Sequence, residues 1–127
     1  MRLLLDTSAV VHLASGTLSA AASDALRSGG LAVLSPVVPW ELAIKVKAGK
    51  LELPLAPLEY CGSLARRHRL TLPREGLDAA LLCAAAELPL IHRDPFDRIL
   101  VATALREQLA VLTPDRTIAL YPVETIW

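Results

Sequence analysis

The sequence predicts an α/β fold in which helices cover a mostly parallel sheet. Short apolar runs alternate with longer helical stretches along the chain, as they do in successive β-α units. The 26 leucines and 20 alanines among the 127 residues favour helices over an all-β fold. A chain of this length, with 54% apolar and 20% charged residues, is expected to form one ordered domain over residues 1–127.

Glycine, proline and acidic residues mark the ends of the predicted elements. The Leu3–Leu5 run ends at an acid, and the helical stretches before Gly29 and Gly49 both stop at glycine. Strands are predicted over Leu3–Leu5 and over residues 31–34, 70–72, 110–113 and 121–126. Helices are predicted over residues 18–28, 38–48, 57–69, 76–87 and 95–108, with a proline-flanked connector at 51–55.

Acidic side chains stand where the predicted strands end and where the last long helix begins. Asp6 closes the first apolar run and Asp115 follows the last central one, whereas Asp94 and Asp97 open the helix at 95–108. In an open parallel sheet, the functional site lies beyond the carboxyl ends of the strands. Grouped carboxylates cannot all stay ionised without compensation, and Mg²⁺ or Mn²⁺ supplies it through oxygen ligands.

Each of these acids also has a purely structural interpretation. Asp6 and Asp94 suit helix N-caps, and Pro95 at the first helical position strengthens that role for Asp94. Asp97 would then suit the positive end of the helix, and Asp115 would suit a turn. The case for a metal site therefore depends on the set and not on any one member.

Glu41 is the fifth candidate acid, and the residues around it in the sequence support two different interpretations. Lys45 follows four residues later, which is the favourable order for an ion pair on a helix surface. Val38, Leu42 and Ile44, however, are unusually apolar flanks for an acid that faces solvent. The sequence leaves both the surface pair and a role as metal ligand open.

The composition excludes several classes of protein. The 13 bases balance the 13 acids and aromatics are 4%, which disfavours a broad basic face or a base-stacking platform but allows a small local site. No glycine-rich phosphate-binding loop or catalytic triad is recognisable.

The two single cysteines, Cys61 and Cys83, are predicted to be buried thiols in a reducing compartment. No apolar run approaches roughly 18 uncharged residues, so we expect a cytoplasmic protein without a membrane helix.

Four motifs occur in a recognisable order. They are Leu-Leu-Leu-Asp-Thr-Ser at residues 3–8, Pro-Trp-Glu-Leu-Ala-Ile-Lys at 39–45, His-Arg-Asp-Pro-Phe-Asp-Arg-Ile-Leu-Val-Ala-Thr-Ala at 92–104 and Leu-Thr-Pro-Asp at 112–115. Together they resemble the PIN domain, and most closely the VapC-type toxin ribonucleases of bacterial toxin–antitoxin pairs. The third motif is highly specific, and the resemblance extends over nearly the whole chain. It implies a three-layer α/β/α sandwich and metal-dependent cleavage of RNA.

The resemblance also implies roles for individual residues. The family's metal-binding acids fall on Asp6, Glu41, Asp97 and Asp115, which are therefore the expected catalytic residues and ligands of Mg²⁺ or Mn²⁺. Asp94 is expected to serve mainly as a helix cap and only secondarily as an outer ligand of the metal. The metal is expected to activate a water as the nucleophile and to neutralise charge on the phosphodiester.

Residues beside the acids are expected to support them or to hold RNA. The hydroxyl groups of Thr7 and Thr113 would orient a ligand or water, although capping of their own turns explains them equally well. Arg93 and Arg98 flank the acids and are the best candidates for RNA contact, although pairing with a neighbouring aspartate is equally compatible. His92 is expected to make a structural hydrogen bond rather than to contact substrate.

The expected partners follow from the same resemblance. They are an RNA substrate, a cognate antitoxin whose tail covers the acidic site, and a second copy of the chain in a homodimer. Two other functions stay open, namely a PIN nuclease outside a toxin–antitoxin pair and a non-catalytic α/β binding module whose acids are caps and ion pairs.

Overall fold

The computed structural model describes all 127 residues and contains a four-stranded parallel sheet flanked by helices. The strands are β1 (Leu3–Leu5), β2 (Ala32–Val33), β3 (Ala110–Leu112) and β4 (Thr125–Ile126). The helices are α1 (Thr7–Ser15), α2 (Ala20–Arg27), α3 (Val37–Lys47), α4 (Pro57–His68), α5 (Ala79–Glu87) and α6 (Pro95–Glu107), with a 3₁₀ turn at Ile118–Leu120. This arrangement confirms the predicted three-layer α/β/α sandwich.

The order of strands across the sheet is β2-β1-β3-β4, and every neighbouring pair is parallel. In β1, Leu3 pairs with Ala32 on one side and with Ala110 on the other. The chain leaves β1 for β2 on one side and later returns to β3 on the other. A crevice therefore opens beyond the carboxyl ends of β1 and β3, which is where α/β proteins bind their ligands.

The central strand lies wholly in the core. Leu3, Leu4 and Leu5 expose none of their surface, which explains why β1 is a continuous apolar run and does not alternate with polar residues. Parallel strands have this pattern because helices cover both faces of the sheet. None of the helices has the length and hydropathy that a crossing of the bilayer requires.

Helix α1 was not among the predicted helices, although Asp6 was interpreted as a possible N-cap for the turn that follows it. Its nine residues include Thr7, Val10 and Val11, whose branched side chains disfavour a helix. Two caps nevertheless define it: the Asp6 side chain accepts a hydrogen bond from the Ala9 amide, and Gly16 ends the helix with φ of 70°.

Other predicted elements differ in extent, and the strand expected at 121–126 is confined to Thr125–Ile126. The strand expected at residues 70–72 is reduced to a single bridge, in which Thr71 pairs with Val33 at the outer edge of β2. The helix expected at 76–87 begins at Ala79, because the carboxylate of Asp78 accepts the Leu81 amide at 2.9 Å and caps the helix.

The two cysteines lie in different surroundings, so the prediction of two buried thiols is wrong for one of them. Cys61 is buried in α4, and burial raises the pKa of its thiol to about 11. Cys83 is exposed on α5. The Ala-rich sequence around Cys83 does not indicate which side of the helix packs on the core.

Candidate metal centre

The crevice at the carboxyl edge of the sheet is a cavity of about 580 Å³. It brings together the four acids expected as ligands and the one expected as a cap. These acids are Asp6, Glu41, Asp94, Asp97 and Asp115. Thr7, Lys45 and Lys50 also line it. Residues that are up to 109 positions apart in sequence therefore meet at one edge of the sheet, as the topology requires.

Asp6 joins the end of β1 to the start of α1, and both of its oxygens are engaged. Its Oδ1 accepts the Ala9 amide at 2.7 Å, and its Oδ2 accepts the hydroxyl of Thr113. The residue is 3% exposed, and this burial raises the pKa of its carboxyl to about 6 despite the two hydrogen bonds. Asp6 is thus a helix cap and a cavity acid at once, so the two interpretations of it do not compete.

Threonine hydroxyls connect the acids to one another. Thr113 donates to Asp6, and its Oγ1 accepts the Asp115 amide at 2.9 Å. The hydroxyl of Thr7 donates to Oε1 of Glu41 at 2.6 Å. Both threonines expected beside the ligands therefore contact the predicted acids directly, and each hydrogen bond fixes the direction of a carboxylate.

Glu41 is buried rather than on the surface. It is 3% exposed on α3, and its Oε2 lies 2.7 Å from Nζ of Lys45. The pair has the predicted spacing, but its acid is buried at the cavity and only the lysine reaches solvent. The hydrogen bond to Glu41 raises the pKa of Lys45, so the amine stays a cation beside the acids.

His92 lies between the last two acids. Its Nε2 lies 2.8 Å from Oδ2 of Asp115 and 3.1 Å from Oδ2 of Asp97. One potential ligand atom from each of these three residues falls within 4.8 Å of the other two. The sequence pattern indicated a structural hydrogen bond for His92, and it makes this bond to an expected metal ligand.

The two acids beside His92 have opposite pKa shifts. Burial, helped by the nearby charge of Asp94, raises the pKa of Asp97 to about 7. Partial burial pushes the pKa of Asp115 upward too, but hydrogen bonds from the Thr117 amide at 2.8 Å and from His92 outweigh it and hold the value below its usual range. For Asp115 the donors therefore outweigh burial, whereas for Asp97 burial outweighs the contact with His92.

This donor set suits a hard divalent cation. Carboxylate oxygens are the ligands that Mg²⁺ and Mn²⁺ prefer, and four of the residues lining the cavity are the acids expected as ligands. The raised pKa values of Asp6 and Asp97 show that burial and mutual repulsion disfavour their charge. A cation among them would remove that penalty.

The comparison with protein families agrees with this geometry. The sequence model of the PIN domain matches residues 3–123, which is nearly the whole chain. The chain belongs to the PIN domain family. No curated protein matches it in sequence.

Solved structures with the same fold include two protein complexes. A chain of VapBC2 from Rickettsia felis, bound to a DNA fragment from their promoter, matches with a TM-score of 0.70 and 15% identity over 100% of both chains. A chain of FitAcB from Neisseria gonorrhoeae matches with a TM-score of 0.59 and 20% identity, over 97% of this chain and 95% of that one. At these identities, the likeness establishes the fold of this PIN domain.

Arg98 does not lie where RNA could reach it, which corrects the expectation that it contacts RNA. The residue is 6% exposed, and its guanidinium donates to four backbone carbonyls in the last turn of α5 and in the connection to α6. Those acceptors are Ala86 (3.0 Å), Leu88 (2.7 Å), Pro89 (2.9 Å) and His92 (3.2 Å). Arg93 is exposed and stays a candidate for RNA contact.

Two basic residues of this PIN domain were missed as site residues. Lys45 was considered only as the partner of Glu41, and Lys50 was not assigned to the site, yet both line the cavity. The spacing of Lys45 from Glu41 was the available signal: a lysine one helical turn after a ligand must lie near that ligand.

Replacing Asp94 with Ala is expected to lower the free energy of unfolding by about 1 kcal/mol and to leave the chemistry largely intact. The Asp94 carboxylate accepts the Phe96 amide at 2.8 Å and caps α6, as predicted. Urea unfolding measures the loss, with Asp94→Asn as a matched variant that keeps a capping oxygen. A fully stable but inactive Asp94→Ala would instead identify Asp94 as a ligand.

The metal-free PIN domain is expected to lose stability as the pH rises from about 4 to about 7. In this window the folded state keeps protons on Asp6 and Asp97, whose pKa values are about 6 and about 7, whereas an unfolded aspartate has released them near 3.8. The unfolded state thus binds fewer protons, and the slope of stability against pH is negative. Urea unfolding at several pH values in EDTA tests this, and a rising profile would contradict it.

Proposed function

We propose that this PIN domain is a divalent-metal-dependent endoribonuclease that acts as the toxin of a toxin–antitoxin pair. The observation that carries the proposal is the gathering of four expected ligand acids in one cavity, two of which have raised pKa values. Acids that served only as caps and ion pairs would gain nothing from sharing a cavity. A metal centre explains why the fold keeps them together.

Asp6, Asp97 and Asp115 would hold Mg²⁺ or Mn²⁺, with Glu41 completing the pocket directly or through water. When bound, the cation would lower the pKa of a water and neutralise charge on the phosphodiester. The Asp6 carboxylate is aimed by the Ala9 amide and the Thr113 hydroxyl, so its direction is set before a cation arrives. Thr7 does the same for Glu41.

The basic residues of the cavity would bind the RNA backbone. Lys45 and Lys50 are exposed at the lining, and both are cations beside a cluster of acids that otherwise repels phosphate. Arg93 is exposed next to the Asp94 cap and would extend this contact. The balanced net charge of the chain agrees with a local site of this kind and not with a broad basic face.

Two observations support the toxin role: the sequence motifs and the kind of protein found among the similar structures. The motifs resemble VapC-type toxins, and VapBC2 is among the solved proteins with this fold. By this likeness, a cognate antitoxin covers the acidic cavity until it is removed, and the active form is a homodimer. Exposed apolar side chains on α3, such as Trp40 and Ile44, offer surface for such partners.

The proposal is tested by incubating partner-free protein with a mixed cellular RNA pool in Mg²⁺, in Mn²⁺ and in EDTA. We expect discrete RNA fragments with either metal and none with EDTA. In parallel, the metal at a hundredfold excess over its dissociation constant should raise the free energy of unfolding by about 2.7 kcal/mol. If the protein showed no cleavage and no stabilisation by metal, the proposal would be contradicted. A non-catalytic binding module would then be favoured.

A further inference from the structure

The ring of His92 has a defined proton position. The backbone amide of Asp94 donates to Nδ1 of His92 at 3.1 Å, so Nδ1 is an acceptor and carries no hydrogen. The proton of the ring must then be on Nε2, which is the nitrogen that meets the two acids. His92 therefore presents an N–H donor, and not a lone pair, to Asp115 and Asp97.

The segment that carries His92 is held by a buried framework. Arg98 binds the carbonyl of His92, and the His92 amide donates to the hydroxyl oxygen of Tyr121 at 2.9 Å. That hydroxyl in turn donates to the carbonyl of Pro89 at 2.8 Å. Tyr121 and Arg98 are 2% and 6% exposed, so these two side chains are shielded from water and their hydrogen bonds hold the segment in place.

We propose that His92 is a positioning residue that holds the carboxylates of Asp115 and Asp97 for the metal, and that it is not itself a ligand. This inference rests on the metal centre proposed above. Ligation through Nε2 would need the proton moved to Nδ1, which would break the hydrogen bond from the Asp94 amide. The hydrogen on Nε2 carries partial positive charge and lies between the Oδ2 atoms of Asp97 and Asp115, which repel each other. The two carboxylates therefore stay in position before a cation binds.

Titration calorimetry of the full chain with Mn²⁺ tests this role with three variants. His92→Ala should bind Mn²⁺ about 10- to 100-fold more weakly, which is the usual effect of losing an outer-shell partner. His92→Gln should recover most of the affinity, because its amide nitrogen is as many bonds from Cα as Nε2 of histidine. His12→Ala is the matched control and should bind like the wild type, since His12 contacts Thr17 and Trp127 instead.

A spectroscopic measurement on the wild type does not depend on any variant folding. Pulsed electron paramagnetic resonance of the Mn²⁺-loaded protein should show no directly coordinated imidazole nitrogen. A directly coordinated nitrogen, or equal affinity of His92→Ala and wild type, would overturn the positioning role and leave the metal centre standing. A wild type that binds no Mn²⁺ would overturn both.

Discussion

Replacing Asp97 with Asn is expected to abolish RNA cleavage while making the metal-free protein more stable. Asp97 lies beside His92 and Asp94 in the cavity, and burial raises the pKa of its carboxyl to about 7. The amide keeps the shape of the side chain but removes a charge that burial and the neighbouring acids disfavour. Above pH 7, the free energy of unfolding should therefore rise by an amount on the order of 2 kcal/mol.

The loss of activity should be large, because the amide is a poor ligand for a hard cation. Losing several kcal/mol of charge stabilisation corresponds to a fall of about 10³-fold in the rate of cleavage. Asp24→Asn is the matched control, since Asp24 is exposed on α2 and pairs only with Arg27. Unchanged cleavage by Asp97→Asn would remove this residue from the site, and a loss of stability would show that its charge is compensated.

Replacing Arg98 with Met is expected to lower the free energy of unfolding by about 3 kcal/mol or more. The substitution keeps much of the apolar stem but removes the guanidinium that donates to the carbonyls of Ala86, Leu88 and His92. The carbonyl of Pro89 also loses this donor but keeps the hydroxyl of Tyr121. Each buried acceptor left without a partner costs roughly 1–3 kcal/mol, although local rearrangement recovers part of this. Urea unfolding of the metal-free protein measures the effect.

Arg93→Met is the matched control for this experiment, because Arg93 is exposed a few residues before Arg98 in the same motif. It should change stability by less than about 0.5 kcal/mol and should weaken RNA binding instead. The two arginines are thus expected to show opposite patterns. A stable Arg98→Met protein with weakened RNA binding would restore the original expectation that Arg98 contacts RNA.

Two aspartates of this PIN domain combine a helix cap with a place in the acidic cavity. Asp6 caps α1 and lines the acidic cavity, and Asp94 caps α6 beside the same cavity. A carboxylate suits both tasks, because each requires an oxygen acceptor at the point where a strand ends or a helix begins. An aspartate that fits a helix cap therefore remains a candidate ligand when it follows a parallel strand.

The sequence by itself determined the features that depend on local signals. Alternating apolar and helical segments predicted the α/β sandwich, and Asp94 before Pro95 predicted the cap of α6. Asp6 and Asp115 were placed at one edge because parallel strands bring their carboxyl ends together. These signals succeed because each is complete within a few residues or follows from the topology alone.

Only the tertiary structure decided which way side chains point and what they meet. Glu41 and Lys45 have the spacing of a surface pair, yet packing of α3 buries the glutamate in the cavity. Arg98 turns inward to the α5–α6 connection, and His92 reaches Asp115, which is 23 residues further along the chain. Spacing defines which residues share one side of a helix, but the direction of that side depends on contacts between distant elements, and those form only when the chain folds.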